Sequence, residues 1–248
     1  MVGVKLRVVS PWAYLNWLVF PILFASVGLF VLSASPTPGR MVYGVLGGGI
    51  IGYWSVAYID GGNSIQDERW NGTLEHIMAV PTPLPVVILG KITGSLTMGM
   101  LAFIPSAVLA YVGFHAFLPG LDAGAFAISF LVLTFTFFSV AMMLTPFFAI
   151  WRWAFTMLNG FELGVYVLCG FMFPTTQLPL WAQDVAAALA PTWATRALYA
   201  SATPGAEHDY LAWWGASIGL SIAYLGLSVL FYRFVEARAR VSGSLALA

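Results

Sequence analysis

Few side chains in this sequence are of types that do chemistry, and their spacing decides which chemistries are open. Glu162 lies near the middle of an otherwise apolar run, FTMLNGFELGVYVLCG. An ionised carboxylate there costs about 2.5–3.5 kcal/mol on membrane-insertion scales, so it must face a protein interior, a water-filled path or a partner. Two roles fit: lining a substrate path or meeting a cationic group, or tying helices together through a hydrogen bond with Thr156, Asn159 or Tyr166. His76, His115 and His208 are scattered and Cys169 stands alone, so no metal cluster, intrachain disulfide or nucleophile–base pair is set up. Gly90-Lys91 has the ending of a phosphate-binding loop. However, Ile92 follows it, and Pro85 stands where the leading glycine belongs. No catalytic or metal-ligating residue is assigned, and no cofactor is expected on this chain.

Polar groups concentrate once more, over residues 66–91, QDERWNGTLEHIMAVPTPLPVVILGK, which hold five of the twenty acidic or basic residues. Asn71 and Gly72 suit a helix start. Leu74, Ile77 and Met78 then recur at the spacing of one apolar helical stripe, opposite Glu75 and His76. Pro81 ends that helix, and Pro81, Pro83 and Pro85 alternate with Thr82 and Leu84 as a stiff extended connector. A short amphipathic helix on a rigid strut can transmit a push, and it can also rest its apolar face on lipid head groups.

The elements that position these residues follow from composition. Sixty per cent of the 248 residues are hydrophobic and eight per cent charged, about a third of the ~25% usual for soluble domains, and the mean hydropathy is +0.88. The whole chain, 1–248, is expected to be one all-α polytopic membrane domain, because lipid leaves backbone amides no partners outside their own helix. Spans are expected over 14–32, 41–59, 92–114, 126–148, 153–173 and 211–231. Lys5, Arg7, Arg69, Lys91, Arg152, Arg233, Arg238 and Arg240 then share one side and only Arg40 and Arg196 the other. Positive charge favours the cytosol, which places both termini and the 66–91 island there. A net charge of zero without a basic run argues against nucleic-acid binding.

Small residues four apart mark close helix contact: Gly44, Gly48 and Gly52 in the second span, Gly160 with Gly164 in the fifth, and Gly215 with Gly219 in the sixth. The contacts fall either within the chain or across a dimer interface. Phe147, Phe148 and Trp153 belong to an aromatic cluster that suits a hydrophobic substrate and equally suits lipid. Residues 174–210 are too polar and proline-marked for a span, yet Trp181 to Leu189 is apolar enough to bury. A re-entrant helix pair and a surface loop both fit.

Two stretches resemble the type-2 ATP-binding-cassette (ABC) transporter permeases. The string Asp67-Glu68-Arg69-Trp70-Asn71-Gly72-Thr73-Leu74-Glu75-His76, with Ala79-Val80-Pro81 and Leu89-Gly90-Lys91, is similar to that family's cytosolic loop between spans two and three. Phe173-Pro174, Gln177-Leu178-Pro179, Trp181 and Pro191-Thr192-Trp193-Ala194 through Leu198 resemble its extracellular re-entrant segment between spans five and six. The resemblance implies that Glu68, Arg69, Gly72, Thr73, Leu74, Glu75, His76, Ile77 and Met78 form a coupling helix docking on a separate ATPase. It likewise implies that Pro174, Pro179, Trp181, Pro191 and Trp193 belong to an extracellular cap. ATP and Mg would sit in that partner, present in two copies, beneath this chain and a second permease subunit, identical or paralogous, in the bacterial cytoplasmic membrane. The activity implied is export of a hydrophobic or amphipathic drug, natural product or lipid or glycan conjugate. Family members carry a longer connecting helix ahead of the first span, of which Val4 to Trp12 would be a remnant. An ion-coupled secondary transporter, which would show inverted repeats and several intramembrane charges, and a non-transporting assembly protein are the alternatives.

Overall fold

The computed structural model describes residues 19–33, 38–61, 64–65, 68, 71–73, 76, 84–114, 121–150, 158–203 and 209–242. Every regular element among them is helical. In chain order these are α1 (Phe20–Ser33), α2 (Pro38–Ser55), running on into a π-helical turn (Val56–Gly61), α3 (Leu84–Gly99), α4 (Phe103–Phe114), α5 (Ala123–Ile150), α6 (Leu158–Leu168), α7 (Leu180–Ala187), α8 (Ala190–Ser201) and α9 (Tyr210–Ser242). Four stretches are long and apolar enough to cross a membrane: Val42–Ile59, Pro85–Gly113, Ala123–Phe148 and Tyr210–Val235. Over the expected spans 14–32 and 153–173 the described helices are the shorter α1 and α6.

The α2 segment is the hub. Protein buries 89% of its apolar window, against 22% for α9 and 28% for α3–α4, whose free faces suit lipid. Glycine makes this possible on the α1 side. A Cβ on Gly48 would stand 2.6 Å from the Pro21 carbonyl oxygen, one on Gly44 would stand 2.7 Å from the Leu29 side chain, and one on Gly52 would meet the ring of Pro21. The three-glycine step therefore packs α1 against α2 within the chain, backbone close to backbone. On another face Ser106 Oγ of α4 donates to the Val45 carbonyl at 2.8 Å.

Lipid offers no hydrophobic force between helices, so small side chains and hydroxyls hold the second half together. Thr136 on α5 and Ser217 on α9 are 2.8 Å apart, Ser221 Oγ donates to Thr136 Oγ1 at 3.2 Å, and Trp214 Nε1 donates to Ser129 Oγ at 3.0 Å.

Two local expectations give way. Helix α3 starts at Leu84, so Pro85 lies in a first helical turn, where its missing N–H costs nothing, and Leu84 and Pro85 are not part of the extended connector expected over Pro81 to Pro85. In the α7–α8 pair, burial falls mainly on α8. Trp181 and Leu180 on α7 are 70% and 80% exposed, whereas Ala190, Ala194, Ala197 and Leu198 on α8 are fully buried against α5 and α9. Alanine and threonine let α8 sit close; the bulk of Trp181 does not.

Candidate functional site: an apolar cleft and a buried carboxyl

Helix α6 ends at a glycine. Gly170 has φ +71, the Phe171 N–H bonds to the Tyr166 carbonyl at 3.0 Å, and the Gly170 N–H bonds to that of Val167 at 3.3 Å. This is the Schellman pattern, and it turns the chain back over the bundle toward α7. The returning strand of chain is pinned by Tyr199, which donates to the Phe171 carbonyl at 2.6 Å.

Between α5 and α6 this leaves a cleft of about 610 Å³. Its long walls run from Val140 to Phe148 on α5 and from Gly160 on α6 to Cys169 just past its end. Trp54 and Tyr58 of the α2 segment form another side, and Tyr224 of α9 contributes from across the bundle. Val185, Leu189 and Pro191 of the α7–α8 pair line it at the end where α6 terminates. The lining is almost wholly apolar. Trp54 is 2% exposed, and its Nε1–H has no acceptor among the described residues.

On the neighbouring face of α6 lies Glu162, 8% exposed. Ser55 Oγ donates to Glu162 Oε1 at 2.5 Å, Tyr166 O–H donates to the same oxygen, and the two hydroxyl oxygens are 2.7 Å apart. Ser55 is the last α-helical residue before the π-helical turn, and π turns recur at functional sites. Tyr166 packs edge-on against Phe24 of α1 at 5.8 Å. The carboxyl is thus a tie from α6 to α2, not part of the cleft wall.

Of the residues expected on a substrate path, Phe147 lines the cleft, Glu162 stands behind it, and Trp153 lies outside the described residues. Gly160 and Gly164 also line it, and among the described residues nothing lies within 4 Å of where their Cβ atoms would be. The same holds for Gly215 and Gly219 on α9, which pack against nothing among the described residues. Tyr166 is readable as a partner of Glu162 from its four-residue spacing. No sequence signal pointed to Ser55, 107 residues away.

In the 66–91 island, Arg69, Leu74, Glu75, Ile77 and Met78 lie outside the described residues. Gly72, with φ +67, Thr73 and His76 are exposed. Glu68 is committed within the chain: one carboxylate oxygen takes the Lys91 ammonium and the other the Thr73 hydroxyl. Lys91 also donates to the Ser64 carbonyl at 3.2 Å. Partial burial pushes the Glu68 carboxyl up, but the bonds from Lys91 and Thr73 and the lysine charge outweigh it and hold the carboxyl below its ordinary value. These contacts latch the island to α3.

Between α6 and α8, Pro174 precedes the 3₁₀ turn Thr175–Gln177, Pro179 caps α7, and Pro191 occupies the first turn of α8. Trp193 Nε1 donates to the Ala187 carbonyl at 2.8 Å, joining α8 to α7, and the Arg196 guanidinium lies 5.3 Å and 5.9 Å from the rings of Trp193 and Trp213. No protein-family model matches the chain, and no curated protein matches it.

Proposed function

We propose that this protein is the membrane subunit of an ATP-driven ABC exporter, a six-span permease with cytosolic termini that moves a hydrophobic or amphipathic molecule out of the cytosol. The observation that carries the reading is the apolar cleft between membrane helices, lined at one end by the α7–α8 pair. The similarity of the island and of the pair to permease loops supports it from the sequence. The crossings beyond the four long helices are those containing α1 and α6. ATP and Mg belong to two copies of a partner ATPase, and the second permease subunit is a copy or a paralogue.

In the cycle, closure of the ATPases pushes the helix around Leu74 and Ile77. The Glu68–Lys91 contact passes that push to α3, which packs on the π-helical turn carrying Tyr58, a cleft residue. Cargo leaves past α7 and α8. Membrane vesicles containing the protein test this: accumulation of a hydrophobic fluorescent probe should stop when ATP is withheld and continue when the proton gradient is collapsed. The reverse pattern would establish ion-coupled transport instead.

A further inference from the structure

We propose that Arg196, held by the rings of Trp193 and Trp213, binds the phosphate of an anionic phospholipid head group where α8 meets the start of α9. Arg196 does not line the α5–α6 cleft, and the proposal does not rest on the exporter reading.

The unbalanced charge comes first. Arg196 is half-buried on α8, and among the described residues no acidic side chain pairs with it. Its one hydrogen bond there runs to Thr175 Oγ1 at 3.3 Å, from a single nitrogen of the guanidinium. Asp209, the acidic residue next to the start of α9, turns its carboxylate to the Ala212 N–H at 3.3 Å as a helix cap. What holds the guanidinium is aromatic: its carbon lies 5.3 Å from the Trp193 ring and 5.9 Å from that of Trp213. Cation–π attraction needs none of the N–H donors. The planar fork is therefore positioned by its neighbours yet open to an oxyanion, which it can grip through two parallel bonds.

Depth selects the oxyanion. Trp213 lies in the first turn of the 26-residue apolar stretch Tyr210–Val235. A helix of that length rises about 39 Å against ~30 Å of hydrocarbon, so its ends project into the head-group layer. Tyr210 stacks on Trp214 at 5.4 Å, and with Trp193 and Trp213 these rings form the aromatic belt expected where hydrocarbon meets head groups. Arg196 thus sits at the level of the lipid phosphates. A zwitterionic head group carries its own cation beside the phosphate, whereas an anionic one leaves that charge uncompensated and gains more from the arginine.

The test uses the full chain, delipidated in mild detergent without nucleotide, and native mass spectrometry of its complexes with dioleoyl phosphatidylglycerol or dioleoyl phosphatidylcholine. Wild type should form a phosphatidylglycerol adduct in preference to a phosphatidylcholine one. Arg196→Gln should weaken that adduct about tenfold or more, as for loss of a charge-assisted bidentate contact. Arg233→Gln, about 30 Å along α9 from Trp213, should leave it unchanged. Equal affinity of wild type for the two lipids, or an adduct that survives Arg196→Gln, overturns the proposal. Displacement of the lipid by millimolar inorganic phosphate also overturns it, since the ligand would then be a free anion. If Arg196→Gln does not fold, wild type decides alone. An arginine-specific dicarbonyl reagent should modify Arg196 in the presence of phosphatidylcholine and be blocked by phosphatidylglycerol; equal modification under both lipids overturns the proposal.

Discussion

Helices α2 and α6 both carry glycines four residues apart and put them to opposite use. On α2, Gly44, Gly48 and Gly52 bring α1 so close that no Cβ fits without displacing it. On α6, Gly160 and Gly164 meet nothing among the described residues, and the space beside them is the cleft. The shared spacing encodes only the absence of side chains along a stripe. What fills the gap is set by how the rest of each helix is held. Helix α2 is enclosed on several faces, whereas α6 hangs from its Glu162 tie and its Gly170 turn and stands off from α5.

The largest effect that would sharpen this contrast comes from Gly48→Ala. The new methyl meets the Pro21 carbonyl oxygen at 2.6 Å and the Ala25 backbone nitrogen at 2.9 Å, so backbone must move. We expect a loss of about 1–3 kcal/mol, the cost of overpacking, read from unfolding in detergent micelles. An unchanged midpoint would break the claim that α1 and α2 are in backbone contact.

Next is Glu162→Ala, which strips Ser55 and Tyr166 of their shared acceptor. Intramembrane hydrogen bonds average about 0.6 kcal/mol, so two should cost about 1 kcal/mol. Glu162→Gln, keeping an acceptor oxygen, should recover part of it. If Glu162→Ala instead leaves stability intact and abolishes transport, the residue is a cargo ligand and not a tie.

Breaking the island latch with Lys91→Met should cost about 0.3–1 kcal/mol, as for a partly exposed pair. Its pH dependence has a definite sign. The folded carboxyl of Glu68 is held below its ordinary value, so its contribution is complete above the unfolded value of about 4.3 and is lost as pH falls through the lower folded value. Lys91→Met should flatten the stability profile below about pH 4.5 and leave it parallel at neutral pH.

The smallest effect has the opposite sign to the first. Gly164→Ala meets no atom within 4 Å and gains helix propensity, so stability should stay level or rise by up to about 1 kcal/mol. A loss as large as that of Gly48→Ala would mean that α6 is packed as tightly as α2 and that the contrast is wrong.

Composition and periodicity make the membrane-helical class legible, and four long helices coincide with stretches read from hydropathy alone. The glycine stripes are legible as stripes, but their occupants are not, since spacing along one helix says nothing about distance to another. Proline misleads at Pro85, where a residue that elsewhere breaks helices sits in the first turn of one. Apolar character misleads at Trp181, because burial beside α5 and α9 depends on closeness of approach and selects the alanines of α8. The π-helical turn after Ser55 leaves no mark in the periodicity, so half of the Glu162 tie is invisible until the helices are placed.

The central claim, that this chain works for an external ATPase, is met most directly by purifying the tagged protein from its native membranes in mild detergent and assaying ATP hydrolysis in the eluate. The account predicts an ATPase that co-elutes with the wild-type chain and is lost from Leu74→Asp with Ile77→Asp, a variant that should still fold because both changes lie outside the spans. An eluate free of ATPase activity, or one in which the double variant retains it, would contradict the account.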